Sequence, residues 1–113
     1  MSVKEKFDGD VAIISVSGNL MGGPETTAVH DKVREIVGKG HKKLVIDLGG
    51  VKWINSSGLG VLMGSMTTMK SAEGDMKLAN VSDRIQSLFM ITKLITIFET
   101  YESTDKAVGS FMK

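Results

Sequence analysis

Cysteine is absent from this chain of 113 residues. That excludes disulfides, thiolate metal sites and cysteine nucleophiles, and it suits a reducing compartment. Histidine is scarce: His30 and His41 stand apart, without the spacing of a metal site. Charge of one sign is not in excess, with a formal net charge of +1. Nothing electrostatic therefore favours nucleic acid or an anionic membrane as a partner. No apolar run approaches the roughly 20 residues of a membrane-spanning helix. The opening Met1-Ser2-Val3-Lys4-Glu5-Lys6 carries charges where a secretory signal needs an apolar stretch. Gly18, Gly22, Gly23 and the pair Gly49-Gly50 lack the lysine and following hydroxyl of a phosphate-binding loop, and read as turn glycines. The expectation is a cytoplasmic protein without metal or cofactor, long enough for one domain and one modest core.

What is present alternates between strand and helix patterns. Val3–Phe7 and Val11–Val16 flank the turn sequence Asp8-Gly9-Asp10 and predict a β-hairpin. Glycines punctuate a loop over Ser17–Gly23. Pro24 and Glu25 suit a first helical turn. Ala28, Val29, Val33, Ile36 and Val37 then share one face of a helix over Glu25–Val37, ended by Gly38-Lys39-Gly40-His41 with glycine in a C-cap role. The apolar run in Lys43–Leu48 reads as a strand covered by other elements. Met76–Ala79 is the next strand, Ser82–Ile91 a helix with a Ser or Asp cap, and Phe98–Tyr101 a short edge strand. Ser103 caps a last helix carrying Ala107, Val108, Phe111 and Met112. This order predicts an α/β layer fold, its sheet mostly parallel with one antiparallel strand from the hairpin. Sites in such folds gather at strand C-termini, so Gly18–Gly23 and Lys52–Gly58 are expected to be neighbours.

Chemistry concentrates in Ile54-Asn55-Ser56-Ser57-Gly58-Leu59-Gly60-Val61-Leu62. Here a strand runs into a loop, and two serines stand where an apolar helical pattern begins. A serine at that position either caps the helix or presents a hydroxyl whose phosphorylation suits the positive helix end. A catalytic serine would need a base and an orienting group, and neither histidine is placed to serve. Leu59, Leu62, Met63, Met66 and Met69 recur at helical spacing and read as the core stripe. Val61, Gly64, Ser65 and Thr68 form the opposite face. It is small and uncharged, and beside the serines it is a candidate protein-binding surface. Asp47 either accepts backbone N–H bonds in the loop or is a plain strand-end carboxylate.

The run from Asp47 to Leu62, with Ser56-Ser57-Gly58-Leu59-Gly60 at its heart, resembles the signature of STAS domains. More narrowly it resembles bacterial anti-sigma-factor antagonists, whose pattern is D-L-S-x-V-x-x-x-D-S-S-G-L-G-x-L. Val11–Leu20 is similar to the family's strand ending in a G-E-L-D-like turn, Lys77-Leu78-Ala79-Asn80 to its next strand, and Phe98–Tyr101 to its last. The resemblance covers nearly the whole chain, taken as one STAS domain over residues 1–113. It implies an α/β fold: a mixed, mostly parallel sheet of four to five strands with helices packed against it. It also implies regulation rather than catalysis. In the family the second serine, here Ser57, is phosphorylated by the anti-sigma factor, itself a serine kinase. The unmodified antagonist binds that kinase and frees the sigma factor; the phosphorylated form lets go, and a serine phosphatase resets it. By position, Asn55, Ser56 and Gly58 shape the switch loop, with Gly58 leaving room for a partner backbone. Met21, Gly22, Val61, Gly64, Ser65 and Thr68 are the partner-binding candidates. A bulky apolar residue near Trp53 serves packing in the family, so Trp53 is expected to be buried.

Two departures from the pattern matter. Asn55 replaces the acid before the serines. The G-E-L-D turn reads Gly18-Asn19-Leu20-Met21, with methionine for its acid. Both changes make the surface around the serines less negative. They open an alternative: a STAS scaffold subunit of a signalling or transport complex, binding without a phosphorylation switch.

Overall fold

The computed structural model describes residues 2–112, apart from the side chains of Ser2 and Glu25. Among these residues five strands form one sheet in the order β1-β2-β3-β4-β5. They are β1 (Ser2–Asp8), β2 (Val11–Ser17), β3 (Lys43–Gly50), β4 (Asp75–Ala79) and β5 (Thr100–Tyr101). The helices are α1 (Gly23–Gly38), α2 (Ser56–Ser71), α3 (Asp83–Ile91) and α4 (Thr104–Ser110). β1 and β2 are antiparallel; every later neighbour is parallel. The sheet is thus the mixed, mostly parallel one expected, with five strands.

Crossover handedness explains the layers. α1, α2 and α3 each join parallel neighbours, stepping across the sheet in one direction. Right-handed connections running one way place their helices on one face. Alternate strand residues face those helices: Ile14, Ile46 and Leu78 meet Val33 of α1, Leu62, Met66 and Met69 of α2 and Phe89 of α3 in one core. The intervening residues Val11, Ile13, Val45 and Ala79 are covered by Ala107 and Val108 of α4. β3 is therefore buried on both faces, which its unbroken apolar run requires.

Boundaries move where caps decide them. α1 ends in a Schellman arrangement: Gly40, at φ 88°, donates to the Val37 carbonyl at 2.9 Å, and His41 N–H donates to Ile36 at 3.2 Å. Ser82 and Ser103 cap α3 and α4 by accepting from Ile85 and Lys106. The last strand is only Thr100–Tyr101, because Phe98 turns into the core against Phe89, ring centroids 5.4 Å apart. Met112 is exposed and does not join the core.

Candidate functional site

Two loops are zipped together at the C-terminal ends of β2 and β3. A register shift between Ser15 and Ser17 lets both strands continue past their regular pairing. Gly18 N–H donates to Gly50 at 3.0 Å, Leu20 N–H to Trp53 at 3.1 Å, and Asn55 N–H to Leu20 at 3.1 Å. Leu20 and Ile54 form a parallel bridge and are both buried. Trp53 N–H donates to Asn19 Oδ1 at 3.2 Å. Asp47 fixes the root of the second loop. Its Oδ1 accepts from Gly49 N–H at 2.9 Å and Asn80 Nδ2 at 3.0 Å, and its Oδ2 from the Thr104 hydroxyl at 3.4 Å.

Asn55, not a serine, caps α2. Its backbone is extended, its Oδ1 accepts from Gly58 N–H at 3.0 Å, and its Nδ2 donates to the Met21 carbonyl at 2.8 Å. One amide thus satisfies an orphan donor of the helix and clips the β2–α1 loop to it. A carboxylate could do the first but not the second, since it has no donor when ionised. With capping done by Asn55, Ser56 and Ser57 occupy the first turn with exposed side chains. Among the described residues neither hydroxyl has a hydrogen-bond partner. Gly22, at φ 99°, lies beside Ser57: a Cβ there would stand 3.4 Å from Ser57 Cβ and 3.5 Å from its Oγ. Thr26 holds Gly22, accepting from its N–H at 2.9 Å and donating to its carbonyl at 3.1 Å. Met21, Gly22, Asn55, Ser56, Ser57 and Gly58 are therefore gathered in one place.

Four expectations do not hold. Gly58 is buried, and its Cα faces this chain rather than a partner: a Cβ would collide with the Leu20 carbonyl and approach Ile54 Cγ1 to 2.6 Å. The face of Val61, Gly64, Ser65 and Thr68 is not an open surface. Ser65 is fully buried, Val61, Gly64 and Thr68 are half-buried, and Gly64 lies against the His30 imidazole of α1. The small residues let α1 and α2 pack closely side by side. Beyond the serines, Gly60, Met63, Thr67, Lys70 and Ser71 are the exposed residues of α2, so Met63 does not join the core stripe expected of it. Finally, Trp53 is 51% exposed, not buried, and the Arg84 guanidinium lies 3.9 Å from its ring centroid. A stack of this kind at an exposed position contributes about 0.5–1 kcal/mol.

Trp53 also borders a groove of about 260 Å³ between the loop and α3, in which Ile54 and Ile85 are buried, Leu88 half-buried and Ile91 exposed. Neither serine lines it.

His30 bridges the paired helices and does not reach the serines. The Thr68 hydroxyl donates to the Gly64 carbonyl at 2.9 Å, so at 3.0 Å it accepts from His30 Nε2–H. That assignment leaves Nδ1 to take up a proton. Gly64 is seven residues beyond Ser57 on the helix, roughly 10 Å along its axis. His41 is stacked on Phe7, ring centroids 4.7 Å apart. Burial, then the Arg34 charge, holds the His30 imidazole below its ordinary 6.5, against the opposing pull of Asp31. The unfolded chain thus takes up a proton at this site before the folded one does as pH falls through 6.5, and stability declines there. Melting temperature is expected to fall between about pH 7.5 and pH 5.5, and to fall less in His30→Gln. Parallel pH profiles for the two proteins would remove His30 from the account.

The family profile described as STAS domain matches residues 2–107. BtrV of Bordetella bronchiseptica, whose name marks it as a candidate anti-sigma factor antagonist, is 23% identical over 107 residues, covering 95% of this chain and 90% of its own. The anti-sigma-B factor antagonist of Staphylococcus aureus is 29% identical over 82 residues, 73% of each chain. Among solved structures, the unphosphorylated anti-sigma factor antagonist SpoIIAA superposes with a TM-score of 0.75 at 15% identity, covering 98% of this chain and 97% of its own. The phosphorylated form of SpoIIAA, from Bacillus, gives 0.75 at 16% identity, covering 97% and 99%. At these identities the structural likeness establishes a shared fold.

Proposed function

Because the chain belongs to the STAS domain family, whose anti-sigma factor antagonists are regulatory binding proteins and not enzymes, we propose that it is an anti-sigma factor antagonist of a cytoplasmic partner-switching system. Unphosphorylated, it binds an anti-sigma factor that is also a serine kinase, and so frees a sigma factor. Phosphate on Ser57 ends that binding, and a serine phosphatase restores it. The names of the two relatives support the role, and the two forms of SpoIIAA support the switch.

One observation carries the reading: Ser57 is exposed on the first turn of α2 and has no capping duty, because Asn55 performs it. The hydroxyl is open to a kinase, and the helix end tolerates the charge that follows. Met21 and Met63, 52% and 40% exposed, flank the switch as apolar contacts that adapt to a partner. Met21, Gly22, Ser56, Gly60 and Met63 replace the α1-facing residues as the binding surface.

The test is phosphorylation by a serine-kinase anti-sigma factor of the same cell, with ATP. Phosphate is expected on Ser57 and is expected to be absent from Ser57→Ala, whose stability stays within about 0.5 kcal/mol of wild type. The modification adds about −1.5 to −2 charges where positions 21 and 55 carry no acid. Partner affinity is expected to fall at least about tenfold, or 1.4 kcal/mol. The thermal transition should move by only a few degrees, since such a charge at a helix N-terminus contributes roughly 0.3–1 kcal/mol. Stoichiometric phosphate on Ser57→Ala would overturn the residue assignment. The absence of acids at Met21 and Asn55 favours the second reading, a scaffold subunit. An affinity unchanged by phosphate would decide for it.

A further inference from the structure

Acidic residues avoid the segments around the groove beside Trp53. None occurs between Asp47 and Glu73, and none from Arg84 through Phe98, where Lys52, Arg84 and Lys93 fall; Asp83 precedes Arg84, and Lys70, in the last turn of α2, is paired with Asp75. Lys52 and Arg84 line the groove itself. Its apolar lining is graded: Ile85 is 1% exposed and Ile54 8%, while Trp53 and Ile91 stand out at 51% and 79%. Met90, next to Ile91, is 66% exposed. An open hollow with a buried apolar floor and a cationic edge is an unpartnered surface of definite chemistry.

We propose that this groove is a second docking surface, taking a large apolar side chain from an acidic amphipathic segment of a partner protein. The partner's carboxylates pair with Lys52 and with Arg84, whose guanidinium is already held in place by stacking on Trp53. Two observations favour a protein segment over a lipid surface. The floor residues Ile54 and Ile85 are reached only by a side chain that inserts. The cations line the hollow itself rather than forming a flat basic face. The proposal rests on the preceding reading only in taking the partner to be a protein. Neither serine lines the groove, so docking here does not depend on the state of Ser57.

Trp53 is the only tryptophan, so its emission reports occupancy of the groove directly. The experiment is a peptide-display selection on the immobilised full chain, followed by fluorescence titration with a synthetic selected peptide. Sequences with a large apolar residue flanked by Asp or Glu are expected to be enriched, and to shift Trp53 emission. Arg84→Glu and Ile91→Glu, both at exposed positions, are each expected to weaken that peptide at least about tenfold while keeping the thermal transition. Ser57→Asp is expected to bind it within about twofold of wild type, so a failure of the phosphorylation switch leaves this readout standing. Selected peptides without acidic preference, or a titration indifferent to Arg84→Glu, would overturn the proposal. Phosphatidylglycerol vesicles that shift Trp53 emission, where selected peptides do not, would assign the surface to a membrane instead.

Discussion

Ser65→Glu is expected to abolish the cooperative thermal transition, or to lower its midpoint by well over 10 °C. Ser65 is fully buried in α2, three residues after Leu62 and four before Met69, and its hydroxyl has no hydrogen-bond partner. Glutamate there must place a longer side chain and a carboxylate in a closed interior. Burying an unpaired charge or overpacking a core each ranks among the few mechanisms that exceed about 4 kcal/mol, against a total stability of roughly 5–15 kcal/mol for a domain. Two controls sharpen the result. Thr67→Glu, two residues along and exposed, should stay within about 0.5 kcal/mol of wild type. Ser65→Ala removes a hydroxyl that is desolvated without a partner, and should be neutral or stabilising. Circular dichroism melts of the three variants decide the matter. A Ser65→Glu protein that melts with wild type would mean that this face of α2 is open after all.

That face shows where a sequence stops being legible. Val61, Gly64, Ser65 and Thr68 are small and uncharged. Such a stripe looks the same whether it lets two helices approach closely or receives a partner from outside. The clue lay in the rest of α2. Lys70 is the one charged residue between Ser56 and Ser71, so the helix has too little polarity for a wide solvated face. It packs on the sheet through Leu62, Met66 and Met69, and on α1 through its small residues. The outward residues Gly60, Met63 and Thr67 carry no signal that would single them out. Strands were easier: a run such as Leu44-Val45-Ile46 has few destinations besides a doubly covered strand.

The switch loop was half legible for a similar reason. Asn, Ser and Asp all make good N-caps, and Asn55-Ser56-Ser57 offers three candidates in a row. What decides among them is the Met21 carbonyl, 34 positions away: Asn55 reaches it with Nδ2 while Oδ1, a separate atom, accepts from Gly58 N–H, a division of labour that an ionised carboxylate, having no donor, cannot make. The exposure of Trp53 is not legible in the sequence, because its stacking partner, Arg84, comes from α3, and no local pattern announces a contact between separate elements.

Gly58→Ala is expected to destabilise the domain by roughly 2–3 kcal/mol and to displace the loop that presents Ser57. Alanine is ordinarily the better helix residue, by up to about 1 kcal/mol, so propensity alone predicts a gain. Sterics oppose it. The new methyl would overlap the Leu20 carbonyl and stand 2.6 Å from Ile54 Cγ1 and 2.8 Å from Leu20 Cβ. Backbone cannot yield as a flexible side chain does, and overpacking of this kind typically costs 1–3 kcal/mol. Relief requires the β2–α1 loop to move away from α2. That stretches the Leu20–Trp53 and Asn55–Leu20 hydrogen bonds, each contributing about 0.5–1.5 kcal/mol. The Met21–Asn55 clip would loosen with them. The expected signature joins structure to function: a melting temperature lower by on the order of 10 °C, with weaker partner binding even at temperatures where the variant is fully folded. Ser57→Ala, which disturbs neither the cap nor the zipped loops, shows neither effect in the unphosphorylated protein. If Gly58→Ala melts at or above wild type, propensity has won, and the close approach of Leu20 to the helix is not what holds the serine loop in place.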